Sequence, residues 1–230
     1  MGDDGSANVP LPFTFPFYGQ GFTNSWMYDN GIVSFKQPGT PGAISPWQWS
    51  AQPLTNTGGS YFIAPLWADM APKPGVTTYT TQTDGTYMKY SWNNIAEYYS
   101  VWGGTPRLNS FSLTIKPDGT FNSTYTAINL QTSNTAVGYV GDPAKGEVNQ
   151  IYYASYGTHI SKSNISDWSA ATTPPPPPPP PVPSYPPQCD TNPLYSTSCP
   201  GYATALAQQN ALASVSTPTT SPTVVAAPAV

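Results

Sequence analysis

The chain has 230 residues, only 8% of them are charged, and the net charge is −4. Binding of nucleic acid requires clustered Lys and Arg, and the seven basic residues form no cluster, so that class is excluded. No run of about 18 apolar residues occurs, so no membrane-spanning helix is predicted. With so few ions, the surface must be hydrated by hydroxyls, amides or attached sugar.

Residues 1–170 are predicted to form an all-β domain, an antiparallel β-sandwich. In its first element, LPFTFPF, every second residue from Leu11 to Phe17 is apolar, which indicates a strand with one buried face. Pro12 and Pro16 lack N–H donors, so this strand is predicted to lie at a sheet edge.

The following elements are predicted from turn residues and apolar runs. Asn30-Gly31, Asp84-Gly85 and the triplet 117–119 are predicted turns, because glycine adopts positive φ at low cost. YFIAPLWADM is a continuous apolar run, which is typical of a strand covered on both faces. TAVGYVG and VNQIYYASY are predicted as the last strands, and no amphipathic helix is expected.

The order of these segments resembles the NIDO (nidogen-type) extracellular domain over about 150 residues. The resemblance rests on FTFPFYGQGFTNSWMYDNGIVSF, YFIAPLWADM, YMKYSWNNIAEY, NSFSLTIKPDGTF and AVGYVGD. It implies an adhesion, matrix or cell-surface module, and it implies no shared catalytic activity. The chain departs from the family in lacking cysteine-rich modules and in ending with a proline-rich segment.

That segment, residues 171–187, is predicted to be a polyproline II linker and is called the proline rod below. From Pro174 to Pro187 it would extend about 40 Å. Besides a plain spacer, it resembles hydroxyproline-rich glycoproteins, which implies hydroxylation and O-glycans; recognition by SH3-type domains is a third alternative. The predicted modified residues are Pro174, Pro175, Pro176, Pro177, Pro178, Pro179, Pro180 and Pro181.

Residues 188–230 are predicted to be an extended, partly helical tail that docks on a neighbouring subunit. Cys189 and Cys199 are predicted to form a local disulfide, with two free thiols as the alternative. A short helix is expected over 202–213. The strand expected to pair with another copy contains Thr223, Val224, Val225, Ala226 and Ala227. The edge strand at 11–17 is a candidate acceptor.

Chemical groups for catalysis are scarce, so no catalytic residue, metal or cofactor is predicted. His159 is the only histidine, and Glu97 and Glu147 are the only glutamates. Asp69 and the pair Asp3-Asp4 are candidates for a calcium site, but no loop has closely spaced Asp or Asn residues, so turn and capping roles are favoured.

Two sequons predict N-glycosylation, at Asn122 in FNSTY and at Asn164 in SNISD. Phe121 and Tyr125 are predicted to share the buried face of a strand, which leaves Asn122 on the polar face.

The sequence therefore predicts a structural subunit of an extracellular glycosylated filament, with copies of itself and covalent glycans as partners. Sandwich beads would be linked head to tail through the proline rod and the tail. The alternative is a glycan-binding adhesion module of a cell or virion surface. In that case, the segments around Trp47, Trp49, Tyr98, Tyr99 and Trp102 would form an aromatic platform, whereas core packing would also explain them.

Overall fold

A computed structural model describes residues 1–45, 50–101 and 105–172. Within these residues the fold is all-β, and helix is limited to α1 (Tyr98–Val101) and two single 3-10 turns. The strands are β1 (Ser6–Phe17), β2 (Gln20–Tyr28), β3 (Val33–Ser34), β4 (Phe62–Trp67), β5 (Met70–Ala71), β6 (Thr78–Gln82), β7 (Met88–Glu97), β8 (Leu108–Ile115), β9 (Thr120–Ala127), β10 (Asn129–Leu130), β11 (Thr135–Val140), β12 (Val148–Ala154), β13 (Ile160–Ser161) and β14 (Trp168–Ala171).

Two antiparallel sheets form the sandwich, as the sequence predicted. The first has the order β1-β2-β3-β4-β11-β12, and the second has the order β14-β9-β8-β7-β5, with β6 also paired to β7. Aromatic rings join the sheets: Phe17 of β1 lies 5.7 Å from Phe121 of β9, and Tyr139 of β11 lies 6.0 Å from Trp168 of β14. Such contacts bury large apolar areas between the layers.

Strand β4 is buried along its whole length, which confirms the interpretation of its apolar run. One of its faces contributes Ile63 to the core between the sheets. Its other face packs Phe62 and Trp67 against a second apolar cluster that includes Ile44 and Leu54. The segment before β4 therefore covers the outer face of the first sheet, and the strand needs no polar side.

The predicted turns are confirmed. Gly31, Gly85 and Gly119 all have positive φ, and they lie in the β2–β3, β6–β7 and β8–β9 connections. At Gly31 a side chain is also excluded by space, because a Cβ there would lie 2.0 Å from the Leu66 carbonyl oxygen. This glycine therefore fixes how closely the turn approaches the strand β4.

Strand β1 lies at the edge of the first sheet, as its prolines predicted. Leu11, Phe15 and Phe17 are buried, whereas Phe13 is only partly buried. The register with β2 shifts between Pro10 and Phe15, yet every second side chain of β1 from Val9 to Phe17 still faces inward. Residues 173–187 of the proline rod, the two cysteines, the short helix and the tail strand lie outside the described residues.

Candidate functional site

The described part of the chain ends at a corner where the two sheets meet. Thr172 is buried, and its N–H donates to the Gly119 carbonyl at 3.2 Å. Its Oγ1 donates to the Pro16 carbonyl of β1 at 3.0 Å. Pro16 belongs to the first sheet and Gly119 to the β8–β9 turn of the second, so this one threonine is bonded to both layers just before the first proline of the rod.

The outer edge of β1 is poor in hydrogen-bonding groups. The Gly5 carbonyl accepts from the Asp29 N–H, so the backbone groups of residue 5 point towards β2. Backbone groups alternate in direction along a strand, and the backbone nitrogen of Pro10 therefore points away from β2. The carbonyl of Pro16 also faces away, since it accepts from Thr172. Two N–H donors are therefore missing on this side, a known protection of sheet edges. Strand β1 is consequently an unfavourable acceptor for an added strand.

The opposite edge of the same sheet, β12, has a different composition. It contains neither proline nor a charged residue, and no further strand pairs with it in the described parts of the chain. Ile151 is exposed there, and Tyr152 and Tyr153 are partly buried. An uncharged edge strand of seven residues offers free N–H and C=O groups to another strand.

The sequon at Asn122 lies on the outer face of the second sheet. Phe121 and Tyr125 are buried, as predicted, while Asn122 and Thr124 are partly exposed. Thr124 shares a 2.7 Å hydrogen bond with Ser112 on the neighbouring strand. Asn122 also lines an open groove of about 410 Å³ beside β14.

The sequon at Asn164 lies in an exposed turn after β13. Its Oδ1 accepts from the N–H of Ser161 at 2.8 Å and from the Ser161 hydroxyl at 3.0 Å. Both bonds are accepted by Oδ1, so they leave Nδ2, the atom that a glycan modifies, without a partner in the described residues. Asn164 is therefore the better presented of the two sequons.

Glu97, one of the two glutamates, has a structural role. It is fully buried, and its Oε1 accepts from the N–H groups of Gln131, Thr132 and Ser133 at 2.6–2.9 Å. Its Oε2 forms an ion pair with Arg107. Burial acts to raise the pKa of Glu97, but these donors outweigh it and hold the pKa below its ordinary value.

The other candidate residues are dispersed. Glu147 is partly exposed, and its Oε2 accepts from Asp142 N–H at 2.7 Å beyond the end of β11. His159 is exposed in the loop before β13. In the described residues, no three acidic, histidine or cysteine side chains are close enough to hold a metal ion together.

The three aspartates considered for calcium line one cleft, although they do not converge as a metal-ligand set in the described residues. Asp3, Asp4 and Asp69 line a cleft of about 280 Å³ with Tyr98 and Tyr99. A smaller cavity of about 40 Å³, lined by Asp69 and Tyr99 as well, adjoins the same residues.

The smaller cavity is lined by one residue from each of the two aromatic segments named in the sequence analysis. Ser50 follows Trp49 directly, and it lines the cavity together with Tyr99, which belongs to the other segment. Trp47, Trp49 and Trp102 themselves lie outside the described residues. Tyr156 and Asn134 also line the cavity, and sequence reasoning missed both because they come from distant loops.

Asp69 has the most unusual environment in this cleft. Only 7% of the residue is exposed, and burial raises the pKa of its carboxyl to about 7, with the negative charges of Asp3, Asp4 and Glu97 adding to the effect. A perturbed carboxyl in a cleft is a recognised signal of a functional site.

Comparison with protein families identifies the fold. A family model described as NIDO related matches residues 1–175, more than half of the chain. The chain belongs to the NIDO-related family. This confirms the resemblance at the level of the β domain and supports an extracellular β domain. Searches of curated proteins and of solved structures gave no match. Among the described residues, no helix has the length and hydropathy needed to cross a membrane.

Proposed function

We propose that the chain is a structural subunit of an extracellular filament. In this proposal the NIDO-related sandwich is the repeating bead. The proline rod and residues 188–230 link it to the next copy. Contacts that run head to tail without closing into a ring produce such a filament.

The observation that carries the proposal is the pair of hydrogen bonds that anchors Thr172 to both sheets. Tension applied through the proline rod reaches Thr172 first, and this residue holds on to Pro16 in one sheet and to Gly119 at the turn of the other. The load is therefore shared between both layers. A loosely attached linker would need no buried anchor on two sheets.

The two edges of the first sheet favour β12 as the acceptor of a strand from the neighbouring tail. The outer side of β1 lacks donors at Pro10 and Pro16, whereas β12 has a complete backbone edge. The apolar, β-branched residues at 223–227 match such an edge strand. This replaces β1 as the acceptor in the proposal.

Covalent sugar is the second part of the proposal. The exposed turn at Asn164 presents its amide outward, and Asn122 lies on the polar face of β9. Glycans at these positions and on the prolines 174–181 would hydrate a surface that carries few ions.

Electron microscopy and light scattering of the full chain test the proposal. Full-length protein is expected to form fibres, and deletion of residues 218–230 is expected to leave a monomer. Ile151→Lys, which adds a charge to the proposed acceptor edge, should also abolish fibres, while Thr80→Lys on the exposed edge strand β6 should not.

Fibres formed by the truncated chain would refute linkage through the tail. Fibres formed by the Ile151→Lys variant would refute only the choice of β12. A full chain that stays monomeric at high concentration would refute the filament itself. Intact mass and glycopeptide mapping of natively isolated protein provide the test of the sugar: a bare mass would remove that part of the proposal.

A further inference from the structure

We propose that the cleft around Asp69 binds a sugar unit of a glycan, with the carboxylate of Asp69 accepting hydroxyl hydrogen bonds and the ring of Tyr99 stacking on the sugar. This is a binding activity in addition to filament formation, and it does not depend on that proposal. A bead with such a site would attach its assembly to a polysaccharide surface.

The carboxylate of Asp69 has no hydrogen-bond or ion-pair partner in the described part of the chain, and only 7% of the residue is exposed. Its backbone, in contrast, is held firmly: the Asp69 carbonyl accepts from Tyr98 N–H at 3.0 Å and from the Ser133 hydroxyl at 3.3 Å. The side chain lines both adjoining cavities. Its carboxylate oxygens are not sealed off from the cleft, so a ligand that supplies hydroxyl donors can reach them.

Exposed aromatic rings lie next to this carboxylate. Tyr99 is 53% exposed and Tyr156 is 68% exposed, and only one other large apolar side chain in the described residues, Ile151, is comparably exposed. Tyr98 contacts Tyr99 edge to face at 5.3 Å, which fixes the orientation of the Tyr99 ring. The C–H face of a pyranose ring packs on an aromatic ring of this kind.

The rim of the smaller cavity is neutral, polar and fixed in place. Asn134 donates from Nδ2 to the Ser50 hydroxyl at 3.0 Å and accepts at Oδ1 from Tyr156 N–H at 2.5 Å. Thr132 and Ser133, on the same rim, are held through their N–H groups by Glu97. A ligand therefore meets hydroxyl and amide groups that are already positioned, which reduces the ordering cost of binding.

A sugar fits these groups better than a metal ion does. No three carboxylate, histidine or cysteine side chains within residues 1–45, 50–101 and 105–172 converge as a metal-ligand set. A hydroxyl both donates and accepts, so it matches a carboxylate and the neutral rim together. The larger cavity, at about 280 Å³, lies close to the lower bound of about 300 Å³ for pockets that hold small ligands.

Asp3 and Asp4 also line the larger cavity, and their negative charges would favour a cationic ligand. Both belong to the first residues of the chain, and Asp4 accepts at Oδ1 from the Asn30 side chain at 3.0 Å. The aromatic rings and the neutral rim favour the sugar, and the cation becomes an outcome of the test.

The test uses the full-length chain and soluble hexasaccharides of glucose, mannose, xylose, galactose and N-acetylglucosamine, titrated by calorimetry and by NMR. At least one should bind. Asp69→Asn and Tyr99→Ala should each weaken that binding about tenfold or more, since each removes a charge-assisted hydrogen bond or a stacking surface. Asp84→Asn is the matched control, because its carboxylate serves only the β6–β7 turn through Thr86.

Asp69→Asn keeps the size of the side chain and removes a buried charge, so a loss of binding in this variant does not reflect unfolding. The proposal is overturned if no hexasaccharide binds at millimolar concentration, or if binding is the same in the Asp69→Asn and Tyr99→Ala variants as in the Asp84→Asn control. It is also overturned if calcium chloride or a lysine oligomer binds at Asp69 and the sugars do not.

Discussion

Glu97 and Asp69 are two buried carboxylates in neighbouring regions, and they differ in almost every contact. The β5–β7 pairing places them close together, because Met70, next to Asp69, pairs with Glu97. Glu97 accepts three backbone N–H groups and pairs with Arg107. Asp69 has no partner for its carboxylate in the described residues and lines two cavities.

This difference gives Glu97 a structural role and leaves the Asp69 carboxylate available for binding. The Glu97 carboxylate accepts the hydrogen bonds that the N–H groups of residues 131–133 would otherwise donate to water. These bonds and the ion pair with Arg107 neutralise its charge and hold the loop to the sheet. Asp69 stays unsatisfied at the surface that this loop helps to form. A carboxylate that reaches a cleft and has no hydrogen-bond partner in the protein is available to solvent or to a ligand.

The largest expected effect comes from Glu97→Gln. This change removes the charge opposite Arg107 and disturbs three backbone hydrogen bonds, so the free energy of unfolding should fall by about 3–5 kcal/mol. Glu147→Gln, at a partly exposed site with one backbone bond, is the control and should cost about 1 kcal/mol or less. Equal effects in urea denaturation would show that Glu97 is not the anchor of the loop.

The second expected effect is a dependence of stability on pH. Burial, followed by the charges of Asp3 and Asp4, raises the pKa of Asp29 to about 8, as burial raises that of Asp69 to about 7. The unfolded chain releases these protons near pH 4, so between about pH 4 and pH 8 the folded state holds more protons. The free energy of unfolding should therefore fall as pH rises through this window.

Glu97 has the opposite sign. Its pKa is lowered in the folded state, so its contribution is present above its ordinary pKa and is lost as pH falls through the folded value. For these three groups together, stability should be greatest at about pH 4–5. The double variant Asp29→Asn, Asp69→Asn should lose the decline above pH 5 in urea denaturation. An unchanged decline would show that other groups cause it.

The smallest expected effect is the most direct test of the difference between Asp69 and Glu97. Asp69→Asn should leave the free energy of unfolding at pH 7.5 unchanged or raise it by about 1 kcal/mol, because an amide is cheaper to bury than an unpaired carboxylate. Thermal unfolding of the two proteins measures the difference. A loss of more than about 1 kcal/mol would mean that the Asp69 carboxylate has a structural partner and is not held free for a ligand.

Strands and turns were largely predictable because their signals are local. Each of three sequence patterns is enough to predict the local conformation. They are the alternation from Leu11 to Phe17, the glycines at 31, 85 and 119, and the apolar run of β4. The register shift between β1 and β2 was not predictable, because it depends on how the two strands pair.

The candidate site was predictable only in its components. Asp69 and Tyr99 both stood out in the sequence, but as parts of different hypotheses, one for calcium and one for an aromatic platform. Their meeting, and the contribution of Asn134 and Tyr156, follow from loops that are far apart in the chain. The structural role of Glu97 was equally hidden, since its three donors come from residues 34–36 positions later.

The amino-acid sequence by itself determined the all-β class, the position of the turns, the edge character of β1 and the NIDO-type order of segments. These depend on side-chain periodicity, on proline and on glycine, which act over a few residues. Only the tertiary structure decided which carboxylate is neutralised and which is left free. That outcome depends on the donors that distant loops bring to each group, and no local pattern in the chain records it.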